Sequence, residues 1–159
     1  MRDFDDDYQS QKAFVAFYNA TYRDMSGLPP ELRPDFLLAE QEKEDPKRAI
    51  ASVRTMVNRI VAQSFRWSAS RVARLEAELG ERELISLAAL RARFQKEYKA
   101  IIKRGELRDH VEYYMAKELV DADTKPTTRR EREKLEEMMA VFGEAEVAKF
   151  RAGRPPISS

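Results

Sequence analysis

The chain has no cysteine in 159 residues. That excludes disulfides, a thiolate nucleophile and cysteine-ligated zinc, and it leaves a fold that needs no oxidising compartment. Histidine is nearly absent too: His110 is the only one, so a di-iron helical bundle, which takes two histidines set three residues after glutamates, is ruled out. The five glycines are isolated, which removes the phosphate-cradling loops of P-loop and dinucleotide-binding proteins. There is no Gly-x-Ser-x-Gly elbow. No apolar run approaches the ~18 residues of a membrane span, and the opening MRDFDDDYQ is acidic where a secretory signal is basic and then apolar. The expectation is a cytoplasmic protein with no membrane contact. Strict apolar alternation and internal repeats are missing as well, so neither hairpins nor a repeat array is predicted.

What the chain has is charge and helical periodicity. Apolar residues make up 43% and charged residues 36%, a mixture that suits helices with one buried stripe and wide solvated faces. The net charge is only +1, but its parts are unequal. Residues 1–46 carry 5 Lys and Arg against 11 Asp and Glu, residues 47–108 carry 15 against 6, and residues 109–159 carry 9 against 11. Such a basic middle can meet phosphate or an acidic protein, or it can be covered by the acidic ends.

Helical spacing runs throughout. Phe14, Phe17, Tyr18, Tyr22 and Met25 predict a first helix over about 8–25, ended at Gly27-Leu28-Pro29-Pro30. Pro34 opens a short helix with Phe36, Leu37 and Leu38, and Asp45-Pro46 is a strong start for the stripe Ile50, Val53, Val57, Ile60, Val61 and Phe65. Ser68 or Ser70 caps a helix with Val72, Leu75 and Leu79 that Gly80 should stop. Leu84, Leu87, Leu90, Phe94, Tyr98 and Ile101 mark a longer helix closed by Lys103, Arg104 and Gly105, and Leu107, Val111, Tyr114, Met115 and Leu119 mark the next. Thr128-Arg-Arg-Glu131 has the form of a capping box ahead of Leu135, Met138, Met139 and Phe142, with Gly143 as the expected end and a weaker turn holding Val147 and Phe150. The fold expected is all-α, a compact array of about five to seven mostly short amphipathic helices with no sheet. Residues 1–7 are expected to be an acidic flexible N-terminus, residues 8–152 a single helical domain, and residues 153–159 a flexible tail.

Chemistry-bearing patterns are few. Asp109 adjoins His110, but neighbouring helical residues point about 100° apart, so that carboxylate cannot orient the imidazole as a general base. Asp3, Asp5 and Asp7 have the opening spacing of a calcium loop, yet Tyr8 and Phe14 stand where glycine and a bidentate glutamate are needed. Glu78-Leu-Gly-Glu81 and Glu106-Leu-Arg-Asp109 could share magnesium over a nucleotide phosphate, as in all-α nucleotide pyrophosphohydrolases, although Gly80 should separate the first pair. A helix-turn-helix over residues 72–92 fails because Glu76 and Ser86 occupy its small and apolar positions. The basic middle is the better signal. Arg48, Ser52, Thr55, Arg59, Gln63 and Arg66 line one side of their helix, while Lys96, Lys99 and Lys103, with Arg93 nearby, line another.

The first reading is a non-enzymatic helical interaction module, an adaptor, inhibitor or regulator that presents charged helix faces to a protein partner. The second is a nucleic-acid-binding protein that uses Arg48, Arg59, Arg66, Arg93, Lys96, Lys99 and Lys103 for phosphate contacts. The third is the metal-dependent nucleotide hydrolase. No catalytic residue, metal or cofactor is expected, and the oligomeric state is open.

Overall fold

The computed structural model describes the backbone of residues 2–122 and 126–153 and the side chains of residues 7–122 and 126–153. Among these the chain is all-α, with seven α-helices, one 3-10 turn (Pro30–Leu32) and no strand. Residues 154–159, most of the expected tail, lie outside the described residues, as do the side chains of Asp3 and Asp5. The chain divides into two compact units, Met1–Phe94 and Gln95–Ser159.

The first unit is organised by the predicted Asp45-Pro46 helix, which spans Pro46–Ser64 and is preceded by α1 (Arg2–Tyr22) and α2 (Pro34–Glu44), making it α3. The Asp45 carboxylate accepts the Arg48 amide at 3.3 Å, and Pro46 sits where no intrahelical donor is required. Ala49, Val53, Val57, Ile60 and Val61 then recur at helical spacing, and all are buried. Both α1 and α2 pack on α3. From α1 come Phe14, Val15 and Tyr18, whereas α2 buries only Leu38. α1 starts at Arg2, ahead of the residue predicted.

Ser68 caps α4 (Ala69–Glu81) by accepting the Arg71 amide at 3.3 Å, and Leu75 and Leu79 are buried. Gly80 does not stop this helix. It is helical itself, and the left-handed residue is Glu83, at φ 55°. There the Leu84 amide returns to the Leu79 carbonyl at 2.9 Å and the Glu83 amide to Gly80 at 3.1 Å. α5 (Leu87–Arg104) starts beyond Leu84, and its first amides are held from α4: the Glu76 carboxylate accepts from Leu87 and Ala88, the latter at 3.2 Å. At the other end of the packing, Arg91 of α5 donates to the Ser64 hydroxyl at 3.0 Å and the Ser64 carbonyl at 2.6 Å, so a guanidinium meets the negative end of the α3 dipole. Burial lowers the Arg91 pKa, and Glu76 acts against that.

In the second unit Gly105, at φ 86°, ends α5 as its position after two cations implies. α6 (His110–Ala122) buries Met115, Ala116, Leu119 and Ala122 and packs on α7 (Arg129–Ala152), which buries Leu135, Met138 and Phe142. The second half of α5 adds Tyr98 and Ile101, both buried, and the Tyr98 hydroxyl donates to the Pro126 carbonyl at 3.2 Å. The Thr128–Glu131 capping box forms in both directions, at 3.1 and 2.9 Å. Gly143 is the second glycine that does not end its helix. α7 runs through it to Ala152, since glycine costs only about 1 kcal/mol inside a helix and Glu144–Lys149 are mostly good helix formers. Val147 and Phe150 therefore belong to α7 and are exposed.

Two measurements check this packing. Phe94 is 2% exposed and rests against Phe65 with ring centroids 6.1 Å apart; Phe94→Ala should lower the unfolding free energy in denaturant titration by about 3 to 5 kcal/mol, and a loss under about 1 kcal/mol would mean that the ring is not in a core. A Cβ at Gly143 would meet no atom within 4 Å. Gly143→Ala should thus raise stability by about 0.5 to 1 kcal/mol, whereas destabilisation would show that the helix breaks there after all.

Candidate functional site

Ala16 and Ala20 lie one turn apart on α1, and their small side chains leave space that α2 does not fill. The result is a groove of about 430 Å³ lined by Lys12, Val15, Ala16, Asn19 and Ala20 of α1, Met25 after it, Arg33, Pro34, Asp35 and Leu38 around the start of α2, and Met56 of α3. Beside it Lys12 Nζ bonds Glu42 Oε1 at 2.7 Å, tying α1 to α2. Burial first, and Glu42 second, raise the Tyr8 phenol above its ordinary pKa at the same edge.

The segment that supplies part of this lining also carries exposed apolar side chains. Leu28, Leu32, Phe36 and Leu37 are 39%, 53%, 44% and 50% exposed, and they fall within ten consecutive residues rather than being scattered. Their exposure follows from geometry. Phe36, Leu37 and Leu38 step round α2 by about 100° each, and a helix that meets its neighbour along one side buries one of the three, here Leu38. Residues 30–45 hold six acids and two bases, and the charged residues lining the groove itself are Lys12, Arg33 and Asp35. None of these groove residues stood out in the sequence as a site, although three successive large apolar residues on a short helix were the signal.

The residues singled out by charge are all exposed: Arg48, Arg59 and Arg66 on or just beyond α3, and Arg93, Lys96, Lys99 and Lys103 on α5. Arg93 is drawn into an ion pair with Asp7. Lys96, Lys99 and Lys103 keep one common face of α5, with the Lys99 ammonium 5.7 Å from the Tyr98 ring. Arg59 lines a small cleft with Arg23, a residue the sequence had not marked.

Two of the four carboxylates with metal-like spacing have other tasks. Glu78 accepts from the Tyr22 hydroxyl at 2.8 Å and from Arg74 at 3.2 Å; burial and then this carboxylate raise the Tyr22 pKa. Asp109 caps α6 through the Glu112 amide at 2.9 Å and is thereby unavailable to His110. The imidazole is instead 68% exposed, 3.4 Å from Glu146 and edge-on to Phe142. Among the described residues no cluster of three or more His, Asp or Glu side chains is arranged to hold a metal ion. No helix among them is long and apolar enough to cross a membrane.

The second unit has a groove of about 350 Å³ between the Gly105–Arg108 turn and α7, with Met138, Val141 and Phe142 among Lys134, Glu137, Glu146 and Lys149. Its charges are of both signs, and Val141, Val147 and Phe150 of α7 are exposed. No protein-family model, curated protein or solved structure matches the chain, so any functional reading rests on the side chains themselves.

Proposed function

We propose that the chain is a helical interaction module whose Met1–Phe94 unit receives a basic amphipathic helix from a protein partner in the α1–α2–α3 groove. The observation that carries this reading is a groove that holds Met25, Leu38 and Met56, with Leu28, Leu32, Phe36 and Leu37 exposed in the segment of chain that supplies part of its lining. Large apolar side chains left exposed within one short segment support an interaction role, and methionine adapts to the shape of a docked helix better than branched side chains do. Helix-in-groove recognition uses anchors at i, i+3, i+4 and i+7. The acidic surplus over residues 30–45 selects cations at the edges of that helix and speeds its encounter.

The test is isothermal titration with a Leu/Lys amphipathic peptide of about 18 residues beside its Leu/Glu counterpart. The Leu/Lys peptide should bind one to one, and Leu37→Asp and Phe36→Asp should each weaken it by about tenfold or more, roughly 1.4 kcal/mol. Both positions are exposed, so the circular dichroism spectrum should be unchanged. Equal binding of the acidic peptide, or no effect of either variant, would contradict the reading.

A second reading, phosphate-backbone contact by nucleic acid, draws on the shared exposed face of Lys96, Lys99 and Lys103. Changing all three to Ala should then weaken duplex binding nearly equally across sequences and flatten its dependence on salt, each lost contact removing about 0.9 from the slope. Absence of duplex and single-strand binding at low salt would remove this alternative.

A further inference from the structure

The groove of the first unit contains hydrogen-bond donors that the protein itself does not use. Asn19 lies on its α1 wall, one turn beyond Val15 and Ala16, and is only 8% exposed. One side of this amide is occupied, since Oδ1 accepts from the Arg23 guanidinium at 3.5 Å. The other side, the Nδ2 donor, has no acceptor among the described residues. A leucine or methionine here would bury as much surface and leave no donor unmet, whereas a buried donor without a partner weakens the free protein. That loss is recovered when an acceptor arrives from outside.

Arg33 supplies further donors. It directly precedes α2, and its Nε donates to the Leu28 carbonyl at 3.3 Å, while its terminal nitrogens have no partner among the described residues. The other two charged side chains of the lining are already provided for. Lys12 is held by Glu42 at 2.7 Å, and Asp35 is exposed in the first turn of α2, where free amides favour an acid. What Asn19 and Arg33 leave unmet is of one kind, N–H groups. An ionised carboxylate suits them because it only accepts, and its hydrogen bonds are charge-assisted. A side-chain amide would satisfy Nδ2 but bring its own NH2 group to be buried.

We propose that the helix received by this groove carries one carboxylate, a glutamate among its apolar anchors, which accepts from Asn19 with the Arg33 guanidinium as its counter-charge. This rests on the helix-in-groove reading and adds a specificity element to it. Cations at the edges of the docked helix serve its encounter, and the single buried acid fixes its register, because a shifted helix would set the carboxylate against an apolar wall.

Isothermal titration tests this with the Leu/Lys peptide and four variants of it, each with one anchor leucine replaced by glutamate. In a groove whose walls were only apolar, every replacement would weaken binding, since an unpaired buried carboxylate is costly. One of the four should instead bind about tenfold more tightly than the parent, and its glutamine counterpart should fall between the two. Asn19→Leu and Arg33→Gln should each abolish that gain while the parent peptide binds them at least as well as wild type. Arg33 is not in the core, so Arg33→Gln decides the matter if Asn19→Leu loses its helical circular dichroism. Failure of the parent peptide to bind would remove the helix reading and this inference with it. If the parent binds, three results would overturn the carboxylate and leave the helix reading standing: four weaker glutamate peptides, a glutamine peptide as tight as its glutamate counterpart, or a gain that survives either substitution in folded protein.

Discussion

Everything in the first unit depends on burying one side of α3. Ala49, Val53 and Val61 are fully excluded from water and Val57 and Ile60 nearly so, and burial of a valine or isoleucine is worth about 1.5 to 3 kcal/mol. Because these side chains are small or β-branched and stiff, the surface they present is narrow and well defined. α1 and α2 must share it. The same helix therefore has an arginine-bearing side left over, and its neighbours have apolar area that α3 cannot cover.

That shortage of partner surface produces the groove. α2 offers three successive large apolar residues and finds a place for Leu38 alone, while the alanines of α1 recede where a larger residue would have filled the space. The groove shares Asn19 and Met56 as lining residues with the small cleft that Arg23 and Arg59 also line.

Much of the architecture was legible in the sequence because it rests on local rules. Asp45-Pro46, Ser68 and the Thr128–Glu131 box each act where their chemistry says, since an N-cap satisfies amides within three residues and needs no tertiary help. Glycine misled at positions 80 and 143. Its preference for helix ends is statistical, and nothing at either position supplied the competing turn. The left-handed conformation after α4 fell instead on Glu83, which no propensity would select. The candidate surfaces were less legible. Charge patterning found Arg59 but not Arg23, because a lone arginine after a helix has no periodicity to mark it. Arg93, which it also marked, pairs with Asp7, 86 residues away in sequence.

The central claim is that the α1–α2–α3 groove, and not the comparable groove beside α7, receives a partner helix. The six methionines of the chain include Met25 and Met56 in the first groove and Met138 in the second, so methionine methyl NMR reports both in one spectrum. On titration with the Leu/Lys amphipathic peptide, the Met25 and Met56 resonances should shift together and saturate while those of Met115, Met138 and Met139 stay in place. Shifts confined to Met138 and Met139, or a spectrum that does not change while the peptide binds, would contradict the account.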